Sequence, residues 1–359
     1  MIDYAARRDR LRERMAAGQC PALLITNLPD VRYLCGFSGS NAALLVLTDG
    51  QILATDGRYV VQAEHEAPGV DLAITRRLVP DLLGAAVERG LEWVGFDAVQ
   101  MSVAAWRSAA VDEPEVTLQA VDLDVSGLRE VKDDVELDAL RQACAISTRA
   151  LAQMAAEVQV GMTELEIARR LELFMGREGA ADRSFDSIVA GGPHSAIPHH
   201  QPTQRPIEAG DLLKIDFGAL YGGYHADCTR TFIVAAEPQA WQAEIHGVVA
   251  AAQRAGMDAV RPGMLGQEVD QAARRVIEDA GFGQFYGHGL GHGVGLEIHE
   301  VPFLGPTSMN TVEARVPLTV EPGIYLPDRG GVRIEDTVIV FDDGVEILTD
   351  FPRELTRVG

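Results

Sequence analysis

Two segments of the chain repeat one another. GMTELEIARRLELFMGREGA begins at Gly161 and GMLGQEVDQAARRVIEDAGF begins at Gly263. Both open with Gly-Met, have Ala-Arg at similar helical positions, and reach a glycine 18 residues on, at Gly179 and Gly281. Strand-like sequence follows each segment. A repeated helix-and-strand unit indicates a duplication, so we expect two related α+β halves with a cleft between them.

The first 124 residues have a different sequence pattern, in which short apolar strands alternate with helical stretches. Strands are predicted at ALLIT, AALLVL, QILAT, DLAIT, WVGF and VTLQAV, and helices at residues 5–17, 57–67, 79–90 and 102–111. This alternation is typical of an α/β domain. A long helical periodicity then runs to about Glu157. We therefore predict an α/β domain over residues 1–124, a linker over 125–134, and an α+β domain over 135–359 that contains the repeat.

Composition excludes several classes of protein. The formal net charge of -22 argues against nucleic acid as a partner, because a phosphate backbone would be repelled. No apolar run is long enough to span a bilayer, and the charged N-terminal helix has no signal-peptide core behind it. Cys20, Cys35, Cys144 and Cys228 are widely spaced, which indicates free thiols in a reducing compartment. The sequence therefore predicts a cytoplasmic protein.

The stretch GHGLGHGVG, residues 287–295, has glycine at every second position. A helix is disfavoured, because each interior glycine costs about 1 kcal/mol relative to alanine. As an extended strand, the stretch would place all five glycines on one face and His288 and His292 on the other. A strand that is bare on one face allows another backbone or a ligand to approach closely. We interpret the stretch as part of a site, with the glycines next to the substrate.

Two aspartates share one predicted hairpin. LLKIDFGALYGGYHADCTRTFIV, residues 212–234, has two apolar strands around a Tyr-Gly-Gly turn. If Gly222 and Gly223 form the turn, Asp216 is diagonal to Asp227; a turn one residue earlier would place them face to face. In either register the two side chains lie on one face, about 5 to 8 Å apart. Like charges in an apolar hairpin are destabilising unless something binds them.

Two glutamates have similarly apolar surroundings. Glu321 ends an apolar run in LTVEPGIYL, and Glu335 lies in GGVRIEDTVIV, with Arg333 on its own face. With the aspartates they suggest four carboxylates on the strands of one sheet. Each close pair would repel by about 4 kcal/mol at an effective dielectric constant near 20. A single arginine cannot neutralise four carboxylates, whereas two divalent cations would.

Seven of the nine histidines fall in two windows, His194 to His225 and His288 to His299. On a straight strand His288 and His292 would be roughly 13 Å apart, so only one of them can bind a given ion. His299 has the opposite strand parity from His292 and reaches the same pocket only through a bend or bulge. Ligation by several oxygens and one imidazole favours manganese, iron, cobalt or zinc.

With these residues in order, the chain resembles the prolidase and aminopeptidase P branch of the pita-bread metallopeptidases. The motifs that match are FDSIVAGGPHSAIPHH, KIDFGALYGGYHADCTRTF, GHGLGHGVGLEIHE, TVEPGIY and GVRIED, with DVRYLCGFSGSNAALLV in the first domain. The resemblance implies a creatinase-like N-terminal domain and a pita-bread catalytic domain. It also implies hydrolysis of Xaa-Pro bonds in peptides with proline at the second position, and a homodimer.

The resemblance assigns roles to individual residues. Two metal ions, most often Mn²⁺ in this branch with Co²⁺, Zn²⁺ or Fe²⁺ as alternatives, would be held by Asp216, Asp227, His292, Glu321 and Glu335. Asp227 and Glu335 would bridge both ions. The implied substrate-binding residues are His199, His288, His299 and Arg333, and the implied catalytic residues are His199, His299 and Glu321.

Three positions depart from the usual pattern of the family. His194 stands where asparagine is common, Arg315 stands where glycine is common, and residues 301–312 contain no arginine to hold a proline carboxylate. The last departure bears on dipeptide recognition. Two alternatives are a metal-free amidinohydrolase like creatinase and a non-catalytic peptide-binding module on the same fold. The complete set of five metal-binding side chains favours the metallopeptidase.

Overall fold

In the computed structural model, which describes residues 2–112 and 115–359, the chain divides into two units. These are Met1–Arg129 and Glu130–Gly359. The division lies inside the stretch that we predict as a linker, residues 125–134. No helix within the described ranges is long and apolar enough to cross a membrane.

The first unit is built on a six-stranded mixed sheet with the order β4-β3-β2-β1-β5-β6. In chain order its elements are α1 (Tyr4–Ala17), β1 (Ala22–Ile25), α2 (Leu28–Cys35), β2 (Ala42–Leu47), β3 (Gln51–Thr55), α3 (Val60–Glu66), β4 (Asp71–Ile74), α4 (Leu78–Glu88), β5 (Trp93–Asp97), α5 (Val103–Asp112) and β6 (Thr117–Val121). The prediction of an α/β domain is confirmed. Helix α2 was not predicted, although Pro29 in its first turn and the left-handed Gly36 at its end, with φ of 91°, are typical helix-boundary residues.

The second unit opens with a helix pair followed by strands. Its first elements are α6 (Asp134–Glu157), α7 (Glu164–Arg177), β7 (Asp182–Arg183), β8 (Ile188–Gly191), β9 (Leu212–Phe217), β10 (Ala219–Tyr221), β11 (Tyr224–His225) and β12 (Cys228–Val234). Strands β8, β9 and β12 form a sheet with the last strand of the chain. Helix α7 buries Ile167, Leu171 and Phe174, a helical stripe that packs on this sheet.

A second helix pair and a second sheet follow. The remaining elements are α8 (Ala240–Ala259), α9 (Gly266–Asp279), β13 (Gly291–Gly293), β14 (Glu300–Leu304), β15 (Pro317–Val320), β16 (Gly323–Leu326), β17 (Gly330–Arg333), β18 (Asp336–Phe341), β19 (Gly344–Ile347) and β20 (Arg357–Val358). The sheet has the order β14-β13-β15-β18-β19. Helix α9 buries Val269, Ala273 and Ile277 in the core of this half. Each half therefore has its own helix pair, sheet and core.

The backbone confirms the repeat. The amide of Gly161 donates to Ile207 O at 2.9 Å, and the amide of Gly263 donates to Val312 O at 2.8 Å. Both glycines have positive φ, 91° and 88°. Because equivalent glycines turn the chain in the same way and bond to downstream segments beside the equivalent bridges Thr163–Pro206 and Leu265–Thr311, the two halves are structural repeats.

The glycine-rich stretch differs from the prediction of one extended strand. Only Gly291–Gly293 is a strand, and a register shift occurs between His292 and Gly293. Gly287, Gly289 and Gly291 line the cavity described below, but close protein neighbours also require glycine at some of these positions. A Cβ on Gly291 would lie 2.0 Å from Thr319 O, and one on Gly293 would lie 2.3 Å from Val301 O. The glycines therefore allow the neighbouring strands of the sheet to pack against this segment.

We expect Gly291→Ala to lower the free energy of unfolding by about 1–3 kcal/mol or more, because the methyl group would overlap the backbone of β15. Gly287→Ala is the matched control, since a Cβ there meets nothing within 4 Å. It should change stability by less than about 0.5 kcal/mol. Urea unfolding followed by circular dichroism measures both values. Equal stability of the two variants would contradict this explanation of the glycine spacing.

Candidate metal centre

The aspartate hairpin adopts the first of the two predicted registers. Tyr221 pairs with Tyr224, so Gly222 and Gly223 form the two-residue turn, both with positive φ. Asp216 pairs with Thr229. Asp227 precedes Thr229 by two residues and is therefore diagonal to Asp216, on the same face of the sheet.

The two glutamates come from a second sheet, so the prediction that all four carboxylates lie on one sheet is wrong. Glu321 follows the end of β15, and Glu335 lies between β17 and β18. Hydrogen bonds from a backbone amide and from a side-chain hydroxyl join the two sheets here. The amide of Glu335 donates to Thr229 O at 3.1 Å, and the hydroxyl of Thr337 donates to Asp227 O at 2.8 Å.

Three of the carboxylates crowd together in the interior. Asp216, Asp227 and Glu335 each offer an oxygen within 4.8 Å of the other two, and all three side chains are buried. Burial and the negative charge of Glu335 raise the pKa of Asp227 well above its usual value. Burial and the charge of Glu321 do the same to the pKa of Glu335. The protein alone therefore does not neutralise this cluster.

His292 and Glu321 complete the group. Nε2 of His292 is 3.4 Å from Glu321 Oε1 and 3.7 Å from Asp227 Oδ2. Its Nδ1 donates to Gly293 O at 3.0 Å, which directs Nε2 at the carboxylates. Burial opposes ionisation of Glu321, but the hydrogen bond from His292 and its charge lower the pKa of Glu321 to about 2.

These side chains fit a divalent metal centre. Oδ1 of Asp216 is buried and has no hydrogen-bond partner among the described residues. A buried, unpartnered carboxylate oxygen is costly, and a cation would satisfy it. Four carboxylates and one imidazole, with the other imidazole nitrogen fixed by a backbone carbonyl, match the ligand chemistry of manganese, iron, cobalt and zinc.

A cavity of about 680 Å³ opens above this cluster, and every predicted site residue lines it. They are Asp216, Asp227, His292, Glu321, Glu335, His199, His288, His299 and Arg333. The rings of His292 and His299 are 4.4 Å apart, so the chain bends between them as their opposite parity requires. Burial and the neighbouring His292 lower the pKa of His299, which favours its neutral form.

Arg333 is held by protein groups on several sides. Its guanidinium donates to Asp216, to Tyr325 Oη at 2.8 Å and to Thr229 Oγ1 at 3.1 Å. Tyr325 also contacts Nε2 of His288 at 2.9 Å. Arg333 therefore orients Asp216, and Tyr325 links Arg333 to His288.

The sequence analysis assigned no role to Tyr325 or to Lys214. Lys214 is buried two residues before Asp216, and its ammonium donates to Ile197 O at 2.6 Å and to Pro198 O at 3.2 Å. Strand periodicity places it on the same face as Asp216, which was a usable signal. Tyr325 had no such signal, because its contacts depend on the pairing of β16 with β17.

His194 and His200 belong to a second cluster, around Glu164. Nδ1 of His194 is 2.8 Å from Glu164 Oε1 and Nε2 of His200 is 2.9 Å from Oε2. The same carboxylate also accepts hydrogen bonds from the amides of Gly191 and Thr203 and from the Thr203 hydroxyl. Five donors satisfy both oxygens, so we interpret this cluster as structural.

We expect Glu335→Gln to stabilise the metal-free protein by about 1–3 kcal/mol at neutral pH, because each pKa unit of mutual repulsion corresponds to about 1.4 kcal/mol. A carboxyl whose pKa is raised by folding contributes stability only in acid, and this contribution is lost as the pH rises. The gain in the variant should therefore vanish below about pH 4. Thermal unfolding of the chelated protein across this pH range measures it, and Mn²⁺ titration should show weakened binding.

Asp336→Asn is the matched control for this prediction. Burial alone would raise the pKa of Asp336, but Arg230 and Arg353 lower it. Its contribution is therefore present at neutral pH and is lost as the pH falls through its folded-state pKa. Removal of this buried partner should destabilise the protein by about 3–5 kcal/mol. Destabilisation of both variants to the same extent would mean that the Glu335 cluster is already neutralised.

Comparison with known proteins agrees with this geometry over both units. The model for the Creatinase/Prolidase N-terminal domain matches residues 7–131, and the model for Metallopeptidase family M24 matches residues 138–342. A curated Xaa-Pro dipeptidase from Pyrococcus horikoshii is 33% identical over 96% of this chain and 96% of its own length.

Two solved structures share the whole architecture. An Xaa-Pro dipeptidase from Bacillus anthracis superposes with a TM-score of 0.95 at 36% identity, over 99% of this chain and all of the other. An X-Pro aminopeptidase from Thermotoga maritima superposes with a TM-score of 0.91 at 35% identity, over 98% and 99% of the two chains. The resemblance noted from the sequence motifs is confirmed, and the chain belongs to Metallopeptidase family M24.

Proposed function

We propose that the protein is a dinuclear-metal-dependent peptidase that hydrolyses the Xaa-Pro bond of peptides with proline at the second position. The observation that supports this most directly is the cluster of four carboxylates and one imidazole at the floor of a 680 Å³ cavity. Relatives named Xaa-Pro dipeptidase and X-Pro aminopeptidase support the choice of bond.

Two divalent cations would be held by Asp216, Asp227, His292, Glu321 and Glu335. By the family resemblance, Asp227 and Glu335 would each hold both ions. We propose Mn²⁺, with Co²⁺, Zn²⁺ or Fe²⁺ as alternatives that the same ligands accept. When bound, such a pair would lower the pKa of water enough to supply hydroxide near neutral pH and would polarise the peptide carbonyl.

The remaining residues would bind the substrate and transfer protons. His199 and His299 would donate hydrogen bonds to the scissile carbonyl and to the tetrahedral centre as negative charge develops. The lowered pKa of His299 suits this role, because a neutral imidazole holds one N–H to donate. His288 would line the substrate site, and Arg333 would keep Asp216 oriented at its edge.

Glu321 would transfer the proton to the leaving nitrogen. Its carboxylate would be ionised at neutral pH and could accept a proton first. The nitrogen of proline has no hydrogen in the peptide bond, so the site needs no acceptor there.

We also propose that the protein is a cytoplasmic homodimer. The four cysteines are all buried and unpaired, as is usual for proteins in a reducing compartment. The dimer is proposed from the family resemblance. Peptide is the proposed partner, and neither nucleic acid nor membrane is, since the net charge of -22 would repel phosphate groups.

Removal of metal tests the function. The chelated protein should lose at least about 100-fold of its kcat/KM on an Ala-Pro peptide, because metals contribute several kcal/mol to such reactions. Added Mn²⁺ should restore it, with two ions per chain by elemental analysis. Asp227→Asn should bind less metal and remain inactive after Mn²⁺ is added. An Ala-Ala peptide is the control for selectivity.

Two outcomes would identify the alternatives. Full hydrolysis by a protein shown to be free of metal would indicate metal-free chemistry of the creatinase type. Stoichiometric metal or peptide binding without turnover of any Xaa-Pro peptide would indicate a non-catalytic binding module.

A further inference from the structure

The cavity above the metal centre has one strongly apolar wall. Its floor is formed by the clustered carboxylates, and its wall is formed by the side chains of Phe185, Ile188, Ile298, Phe303, Leu304 and Pro306. Phe303 is 46% exposed, so its ring is available for contact. An apolar wall of this kind favours uncharged parts of a ligand and disfavours a charge that loses its water.

Phe303 lies next to the reaction centre. It pairs with His292 in the β13–β14 register, and directly opposed residues of antiparallel strands present their side chains on one face of the sheet. Opposed Cα atoms in such pairs are about 4.5–5.5 Å apart. The wall at Phe303 therefore lies beside the imidazole of His292, and a substrate bound at the carboxylate cluster would contact it.

The arginine side chains at the cavity are already bonded to other protein groups. Among the lining residues that the structure describes, Arg333 is the one permanent cation, and it bonds Asp216, Thr229 and Tyr325. Arg183, close to the rim residue Asp186, is held between Asp186 at 2.7 Å and Glu172 at 3.2 Å.

Lys214 offers no alternative. Its ammonium donates to the carbonyls of Ile197 and Pro198. The described lining residues therefore provide no uncommitted arginine or lysine for an anionic ligand group on the apolar wall. A carboxylate placed there would exchange water for phenyl and aliphatic carbon.

The apolar wall affects how the C-terminal end of a substrate can bind. In a free Xaa-Pro dipeptide, the proline ends in a carboxylate directly after the scissile bond. In a longer peptide, a neutral amide takes that place and the chain continues along the wall. We propose that this site selects peptides that continue past the proline with an uncharged, apolar residue, over free Xaa-Pro dipeptides. The inference rests on the proposed Xaa-Pro peptidase function.

The test compares substrates that differ in one charge. Mn²⁺-loaded protein is given Ala-Pro, Ala-Pro amide and Ala-Pro-Leu, and free alanine is measured. We expect kcat/KM for the amide and the tripeptide to exceed that for the dipeptide by roughly tenfold, since a carboxylate that exchanges water for apolar side chains without gaining a partner binds less tightly. This comparison uses the unmodified protein and does not depend on whether a variant folds.

A substitution then tests the wall itself. Phe303→Arg places a cation next to the proline carboxylate and should raise kcat/KM for Ala-Pro by about twofold to fivefold, the range of a partly exposed ion pair. The ratio of amide to dipeptide should fall accordingly. Leu173→Arg is the matched control, because Leu173 is 52% exposed on α7 and does not line the cavity.

The outcomes separate this inference from the function on which it rests. A preference of the unmodified protein for Ala-Pro over its amide would overturn the inference and leave the Xaa-Pro activity intact. The inference also fails if Phe303→Arg and Leu173→Arg give the same substrate ratio while both bind Mn²⁺. Turnover of none of the three peptides by the Mn²⁺-loaded protein would instead overturn the proposed function.

Discussion

Mutual repulsion among buried carboxylates is the constraint on which the rest of this structure depends. Asp216, Asp227 and Glu335 lie within a few ångströms of one another in the interior, and the pKa values of Asp227 and Glu335 are raised by burial and by their neighbours. Arg333 compensates one of them, since its guanidinium is bonded to Asp216. A fold that keeps these groups together without neutralising them favours the binding of cations, which would relieve the repulsion and stabilise the protein.

The duplicated architecture explains how such a cluster can be assembled. Each half contributes a sheet, and the strands that meet are fixed by a second set of charges beside the first. Arg230 donates to Asp336 at 2.8 Å and to the carbonyl of Glu335 at 2.5 Å. Glu335 and Asp336 are adjacent in sequence yet have opposite roles: Asp336 is paired with arginine and joins the two sheets, whereas Glu335 faces the cavity and remains unneutralised.

Local sequence rules predicted those parts of the site that depend on neighbours along the chain. The Tyr-Gly-Gly turn limited Asp216 and Asp227 to two registers that share one face, of which the structure has the diagonal one. Strand parity required the bend that brings His299 to His292. Glycine spacing did not reveal its own cause, because the close neighbours of Gly291 and Gly293 are distant in sequence. The pairing of the two sheets and the contacts of Tyr325 also depend on residues that are distant in sequence. At Arg315 the structure instead explains a feature of the sequence. Its φ of 67° is a left-handed backbone conformation that favours glycine, which is the residue common at that position.

The position of His199 is the last structural requirement of the proposed chemistry, and it depends on a residue outside the cavity. Glu164 begins α7 and holds His194 and His200, one on each side of His199, together with Gly191 and Thr203. His199 itself is exposed to the cavity, so its placement comes from this anchored loop and from Lys214, which donates to the carbonyls of Ile197 and Pro198. The helix of the first repeat thus supports His199 at the cavity, while His292, beside the carboxylates, belongs to the strands that follow the second repeat. The cavity needs both halves because each supplies one side of it.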